Sequence, residues 1–164
     1  MKILGIDPGF SRLGYAILET DKKSFRVIDC DCFETKPKSD YGKRLLLVAD
    51  KVKKLISKHK PDVMAIERVF FAKNQKTALQ IAEVRGILLY LAASSKIPAY
   101  EHTPLEVKMA LCGYGKATKE QVQKMLKTIL KAPSLPKSDD ATDALAIGLT
   151  CAYSLPAAGR FAPK

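Results

Sequence analysis

No stretch of this sequence stays apolar for the ~20 residues that a membrane-spanning helix needs, so a bilayer-embedded protein is not expected. The first residues, Met1 to Asp7, hold one lysine and a short apolar run broken by an aspartate. They lack the long apolar stretch and small-residue cleavage site of a signal peptide, and a cytoplasmic location is the expectation. Cysteine is sparse. Cys30, Cys32, Cys112 and Cys151 form only one C-x-C pair, with no second pair and no histidines at zinc-ligand spacing, which argues against structural zinc and for reduced, packed thiols. The two histidines, His59 and His102, offer no ligand spacing and are assigned no role. Internal repeats and low-complexity tracts are also missing, and 164 residues suffice for one sizeable core. Residues 1–155 are therefore expected to form a single domain, with 156–164 as a flexible tail.

Acidic charge is the minority sign. Lys and Arg number 28 against 17 Asp and Glu, a net charge of +11 that favours a polyanionic partner. Basic charge alone is shared by ribosomal proteins, membrane-surface binders and many solvated surfaces. It gains meaning from the few carboxylates that sit on apolar segments, where an unpaired charge is costly.

Residues 2–7 read as a buried strand ending on Asp7, and 13–20 and 24–34 as two more strands in an antiparallel meander. From Tyr41 to Lys60 the period changes, with Leu45, Val48, Val52, Leu55 and Ile56 on one helical face. After Pro61-Asp62, the strand Val63–Ile66 delivers Glu67 at its carboxyl end. Residues 75–95 predict a helix apolar on more than one face, either fully buried or turned toward a second subunit. A fifth strand is expected from Ile97 to Glu101. Thr103-Pro104-Leu105-Glu106 and Thr118-Lys119-Glu120-Gln121 are capping-box patterns that open two further helices, the first broken at Gly113 and the second running to about Lys131. A last helix, capped by Ser138 or Asp139, runs through about Tyr153. The order of elements describes an α/β domain, a five-stranded mixed sheet with helices on both faces. Ligands of such sheets gather outside the carboxyl ends of parallel strands, where Asp7 and Glu67 fall.

Asp140 and Asp143 lie three residues apart, on one face of the last helix, and Ala144 and Ile147 continue that face. If the helix crosses the strand ends, four carboxylates converge, and hard divalent cations are the physical remedy for their repulsion. Mg²⁺ suits such a site, one or two ions per subunit with Mn²⁺ as a substitute. Two ions ~3.5–4 Å apart can activate water and steady a leaving 3′-oxygen in phosphodiester hydrolysis. Taken singly the acids are less telling. Asp7 before Pro8-Gly9 fits a turn residue equally well, Asp140 a helix N-terminus, and Glu67 an ion pair with Arg68 or Arg85.

Three blocks in series are more specific: Gly5-Ile6-Asp7-Pro8-Gly9 with Gly14-Tyr15, Ala65-Ile66-Glu67-Arg68-Val69-Phe70-Phe71-Ala72-Lys73-Asn74, and Asp140-Ala141-Thr142-Asp143-Ala144-Leu145-Ala146. In order and spacing they resemble the RuvC family of Holliday-junction resolvases over nearly the whole chain. That resemblance implies an RNase H-like fold, a homodimer, Mg²⁺-dependent paired nicking of four-way junction DNA, and action beside a branch-migration motor complex. It assigns Asp7, Glu67, Asp140 and Asp143 as the catalytic, metal-binding acids. The extra Asp139 leaves a small ambiguity of register, in which the D-x-x-D spacing to Asp143 favours Asp140.

The resemblance also implies that Phe70 points outward, where it can stack on an unpaired base; the bland alternative is that Phe70 and Phe71 are both core. Lys108 and Lys119 match basic positions of the family, and Lys119 opens a helix whose N–H groups already favour phosphate. Lys73, Asn74 and Lys76 complete the candidate DNA contacts. Two rivals stand beside this reading. Asp7-Pro8-Gly9 with Gly14 also resembles the first phosphate loop of actin-like and sugar-kinase-like ATPases, for whose second lobe this chain has no room. A non-catalytic junction-binding module would keep the basic surface but lack the full acidic set.

Overall fold

The computed structural model describes residues 1–21, 23–68 and 75–155, with the side chains of 75–77 outside that set. Phe70, Phe71, Lys73, Asn74, the side chain of Lys76 and the tail 156–164 lie outside the described residues. The elements are β1 (Lys2–Asp7), β2 (Arg12–Thr20), β3 (Phe25–Glu34), α1 (Tyr41–His59), β4 (Val63–Glu67), α2 (Gln75–Ser94), β5 (Ala99–His102), α3 (Pro104–Cys112), α4 (Lys119–Leu130) and α5 (Asp139–Ser154). They form one five-stranded sheet in the order β3-β2-β1-β4-β5. The β1-β2 and β2-β3 pairs are antiparallel, whereas β1-β4 and β4-β5 are parallel.

Strand alternation sorts the core into two layers. Leu4, Ile6, Tyr15, Ile17, Met64 and Ile66 pack with Val48, Val52 and Leu55 of α1 and with Val84, Leu88 and Leu91 of α2. The other parity, Ile3, Ala16, Leu18, Val63 and Ala65, packs with α3, α4 and above all α5, whose Ala144, Leu145, Ile147 and Leu149 are buried. Asp7 and Glu67 continue this second parity, so the sheet presents both acids to the face that α5 covers.

Helix α5 lies unusually close to the sheet. A methyl group added at Gly14 would overlap the main-chain carbonyl of Asp140, and one at Gly5 would overlap that of Ala144. Only glycine permits backbone to rest on backbone at these two positions.

The helix starts follow the expected capping chemistry. Thr103 with Glu106 and Thr118 with Gln121 each close a reciprocal capping box, and Ser138 rather than Asp139 caps α5 by accepting from the Ala141 N–H. The last strand runs Ala99–His102, not Ile97–Glu101, because Ile97 lies in the turn that closes α2. Lys96 adopts the left-handed conformation (φ 57°), its N–H donates to Ala93 and that of Ile97 to Ala92, a pattern that closes a helix and not one that opens a strand.

Candidate active site

The acids reach one place by three routes. Parallel pairing sets Ile6 beside Ile66, so β1 and β4 run out side by side and deliver Asp7 and Glu67 as neighbours. Antiparallel pairing sets Gly14 opposite both Asp7 and Cys32, and Asp140 rides directly over Gly14. One helical turn further along α5, Asp143 joins Glu67 in lining a cleft of ≈ 190 Å³.

The energetic signature of this convergence is strong. Burial first, then the charges of Glu67, Asp143 and Asp140, push the Asp7 carboxyl from 3.8 up to about 8. Its proton is donated to Glu67. Burial and the charge of Asp143 raise Glu67 as well, while that hydrogen bond draws it back. Asp143 is raised chiefly by burial, with Lys119 opposing and Asp139 and Asp140 adding to the shift. Such a set cannot be fully ionised near neutrality without a cation.

Whether a metal fits is decided by donor chemistry. The converging groups are all carboxylates, hard oxygen donors of the kind that Mg²⁺ and Ca²⁺ take. Among the described residues no three acids, histidines or cysteines stand close enough to make a finished metal cage. Self-repulsion accounts for that in part, and Asp140 is engaged elsewhere, its Oδ2 lying 2.6 Å from the Arg12 guanidinium. Mg²⁺ commonly takes one or two carboxylates and completes its shell with water and substrate phosphate, so a finished cage is not required.

The two adjacent aspartates of α5 differ in their partners. Asp139 is exposed and pairs with Lys119, Oδ2 to Nζ 3.1 Å, whereas Asp140, like Asp143, raises the buried Asp7. Two of the expected DNA contacts are brought to the acids, for Lys108 and Lys119 line the same cleft as Glu67 and Asp143. The other four, Phe70, Lys73, Asn74 and Lys76, fall outside the described residues or side chains. The alternative of a Glu67–Arg85 pair is not realised. Arg85 forms a two-pronged ion pair with Glu101, linking α2 to β5. His59 binds Asp29 at 3.0 Å, tying α1 to β3, and His102 is buried at the end of β5.

Sequence reasoning missed Arg12, Cys32 and Ser138. All three approach the Asp140 carboxylate, and only the β2-β3 register, which pairs Arg12 with Glu34 and Gly14 with Cys32, places the first two there.

Comparison with known proteins gives a consistent picture. The family model described as "Crossover junction endodeoxyribonuclease RuvC" matches residues 3–151. A crossover junction endodeoxyribonuclease RuvC of Ruminiclostridium cellulolyticum is 44% identical over 149 residues, covering 91% of this chain and 90% of that protein. That of Halothermothrix orenii is 43% identical with the same coverage. Among solved structures, Thermus thermophilus RuvC in complex with Holliday junction substrate superposes with a TM-score of 0.88 at 30% identity, covering 93% of each chain.

Proposed function

The chain belongs to the RuvC family, with its RNase H-like fold, and we propose that Asp7, Glu67, Asp140 and Asp143 hold the divalent cation with which it cuts four-way DNA junctions. The activity is that of a Holliday-junction-resolving endonuclease acting in DNA recombination and repair. The observation that carries the site assignment is the Asp7 carboxyl at the end of β1, pushed up to about 8 by burial and then by the charges of Glu67, Asp143 and Asp140.

Bound there, a divalent cation supplies the Lewis acid that draws charge off the scissile phosphate and strengthens water as a nucleophile. The protein's own groups do the rest. Asp7 and Glu67 would hold the cation from the strand ends, and Asp140 and Asp143 would complete an oxygen-lined wall from α5. Lys108 and Lys119 set positive charge along the cleft wall, where a backbone phosphate can lie, and Lys119 does so from the first turn of α4. The tie to Asp139 keeps the Lys119 ammonium beside Asp143 before DNA arrives. Phe70, Lys73, Asn74 and Lys76 complete the DNA contacts in this reading, with Phe70 stacking on a base at the branch point.

Mg²⁺ is the proposed ion, with Mn²⁺ able to replace it. The working unit is a homodimer, since paired symmetric nicks take two active sites. Leu79 and Tyr90 of α2, 61% and 69% exposed, supply apolar surface for a second copy. A branch-migration motor is the proposed functional partner. No described helix is long and apolar enough to cross a membrane, and the cytoplasm is the proposed location.

The test uses labelled four-way junctions of several branch-point sequences and matching duplexes, in Mg²⁺ or EDTA, with the wild type, Asp7→Asn and Glu67→Gln. Paired nicks on junctions alone, dependent on Mg²⁺ and lost in both variants while binding persists, are expected. Full cleavage by either variant would overturn the metal-site assignment.

A further inference from the structure

Arg12 is the first residue of β2 and shares the α5-facing parity of Gly14. Its guanidinium lies 2.6 Å from Asp140 Oδ2 and 3.4 Å from the Ser138 hydroxyl, and its Nε stands 3.7 Å from Glu34 Oε1. The same Oδ2 of Asp140 accepts from the Ser138 hydroxyl at 3.2 Å and from the Cys32 thiol at 3.6 Å. Among the described residues, every hydrogen bond and ion pair to this carboxylate side chain ends on Oδ2, which leaves Oδ1 for the cluster.

At the start of α5, Asp140 is thus met by a guanidinium, the cation nearest to it among the described ion pairs. We propose that Arg12 is the resident counter-cation of the acid cluster, a positioning residue that holds Asp140 in the metal-free protein and yields it when a divalent cation enters. The inference rests on the reading of Asp140 as a metal ligand.

Exposure makes the exchange feasible. The Arg12 side chain is 50% exposed, so it returns to water without leaving a buried charge behind, and Glu34, itself 67% exposed, remains beside it as an alternative partner. Metal entry is then cation for cation at Asp140, and Arg12 has opposite effects on the two states. It relieves repulsion when metal is absent, and as a like charge a few ångströms away it opposes the divalent ion that replaces it. Ser138 and Cys32 are neutral and can keep Oδ2 anchored through the exchange.

The test is Mn²⁺ binding to the purified protein without DNA, read from the electron paramagnetic resonance signal of free Mn²⁺, with thermal melting in EDTA run in parallel. Arg12→Gln is expected to bind Mn²⁺ about fivefold tighter than wild type at low salt, an effect that fades as salt screens the charge. The same variant is expected to melt lower than wild type in EDTA. Arg12→Lys, which keeps the charge, is expected to restore wild-type affinity. A merely structural role for Arg12 would leave affinity unchanged or weaken it, and either result overturns the inference. Asp140→Asn separates the two levels. If it binds Mn²⁺ as well as wild type, the metal-site reading itself fails. If it loses binding while Arg12→Gln gains none, only the counter-cation fails.

Discussion

Replacing Asp7 with Asn should make the metal-free protein more stable at alkaline pH, and the structure sets the size of the effect. The Asp7 carboxyl has its ordinary value of 3.8 in the unfolded chain and about 8 in the folded protein. Between those values the folded state holds a proton that the unfolded state has lost, so raising the pH costs stability across that window and nothing further beyond it. At ~1.4 kcal/mol per pH unit, the span from pH 5 to pH 8 amounts to about 4 kcal/mol, or about 10 °C in melting temperature for a domain of this size. Asn cannot ionise and lacks that slope. The assay is thermal or urea unfolding in EDTA at half-unit steps from pH 5 to pH 8, for wild type and Asp7→Asn. Curves that converge at pH 5 and separate with rising pH, the variant above, are expected. Millimolar divalent cation should lift the wild-type curve at pH 8 and leave the variant nearly unmoved, because the ion then takes the place of the proton. Parallel curves in EDTA, with no growing gap, would refute the argument that burial and neighbouring acids hold a proton on Asp7.

Gly14→Ala forces a methyl group against the Asp140 carbonyl and should cost about 1–3 kcal/mol of stability by urea unfolding. Junction cleavage should fall further than the stability loss explains, since the displaced helix carries two of the acids. Thr118→Ala removes one half of the α4 capping box and should cost about 1 kcal/mol, read as a lower urea midpoint at unchanged slope. Arg85→Ala breaks the half-exposed pair with Glu101 and should cost about 1 kcal/mol or less in the same experiment, with Mn²⁺ affinity unchanged. A marked loss of affinity there would mean that α2 and β5 hold the acids more directly than the geometry indicates.

The four converging acids were legible because each stands where a local rule is broken. Asp7 and Glu67 end apolar strands, and Asp140 and Asp143 interrupt a helix face otherwise built to pack. The capping boxes at Thr103 and Thr118 were legible for a simpler reason, since their partners lie three residues away. Local patterning misplaced Ile97, whose β-branched side chain suggests a strand although its N–H is needed to finish α2. Arg12 was illegible. Nothing near it in sequence marks it apart from other surface arginines, and its meaning depends on a partner 128 positions away brought close by sheet register and helix docking. Cys32 was read only as a reduced, packed thiol, and its neighbour Asp140 was hidden for the same reason.

The two glycines beneath α5 have a consequence for how this protein tolerates change. Because Gly5 and Gly14 let the main chain of the helix rest on the main chain of the sheet, the height of Asp140 and Asp143 above Asp7 is fixed by peptide geometry and not by the side chains filling the core. Apolar residues elsewhere in that layer can be exchanged without altering the gauge of the acidic gap. With helix main chain already resting on sheet main chain, α5 cannot settle closer to carry Asp140 and Asp143 toward Asp7, and any closer approach of the acids falls to their side chains.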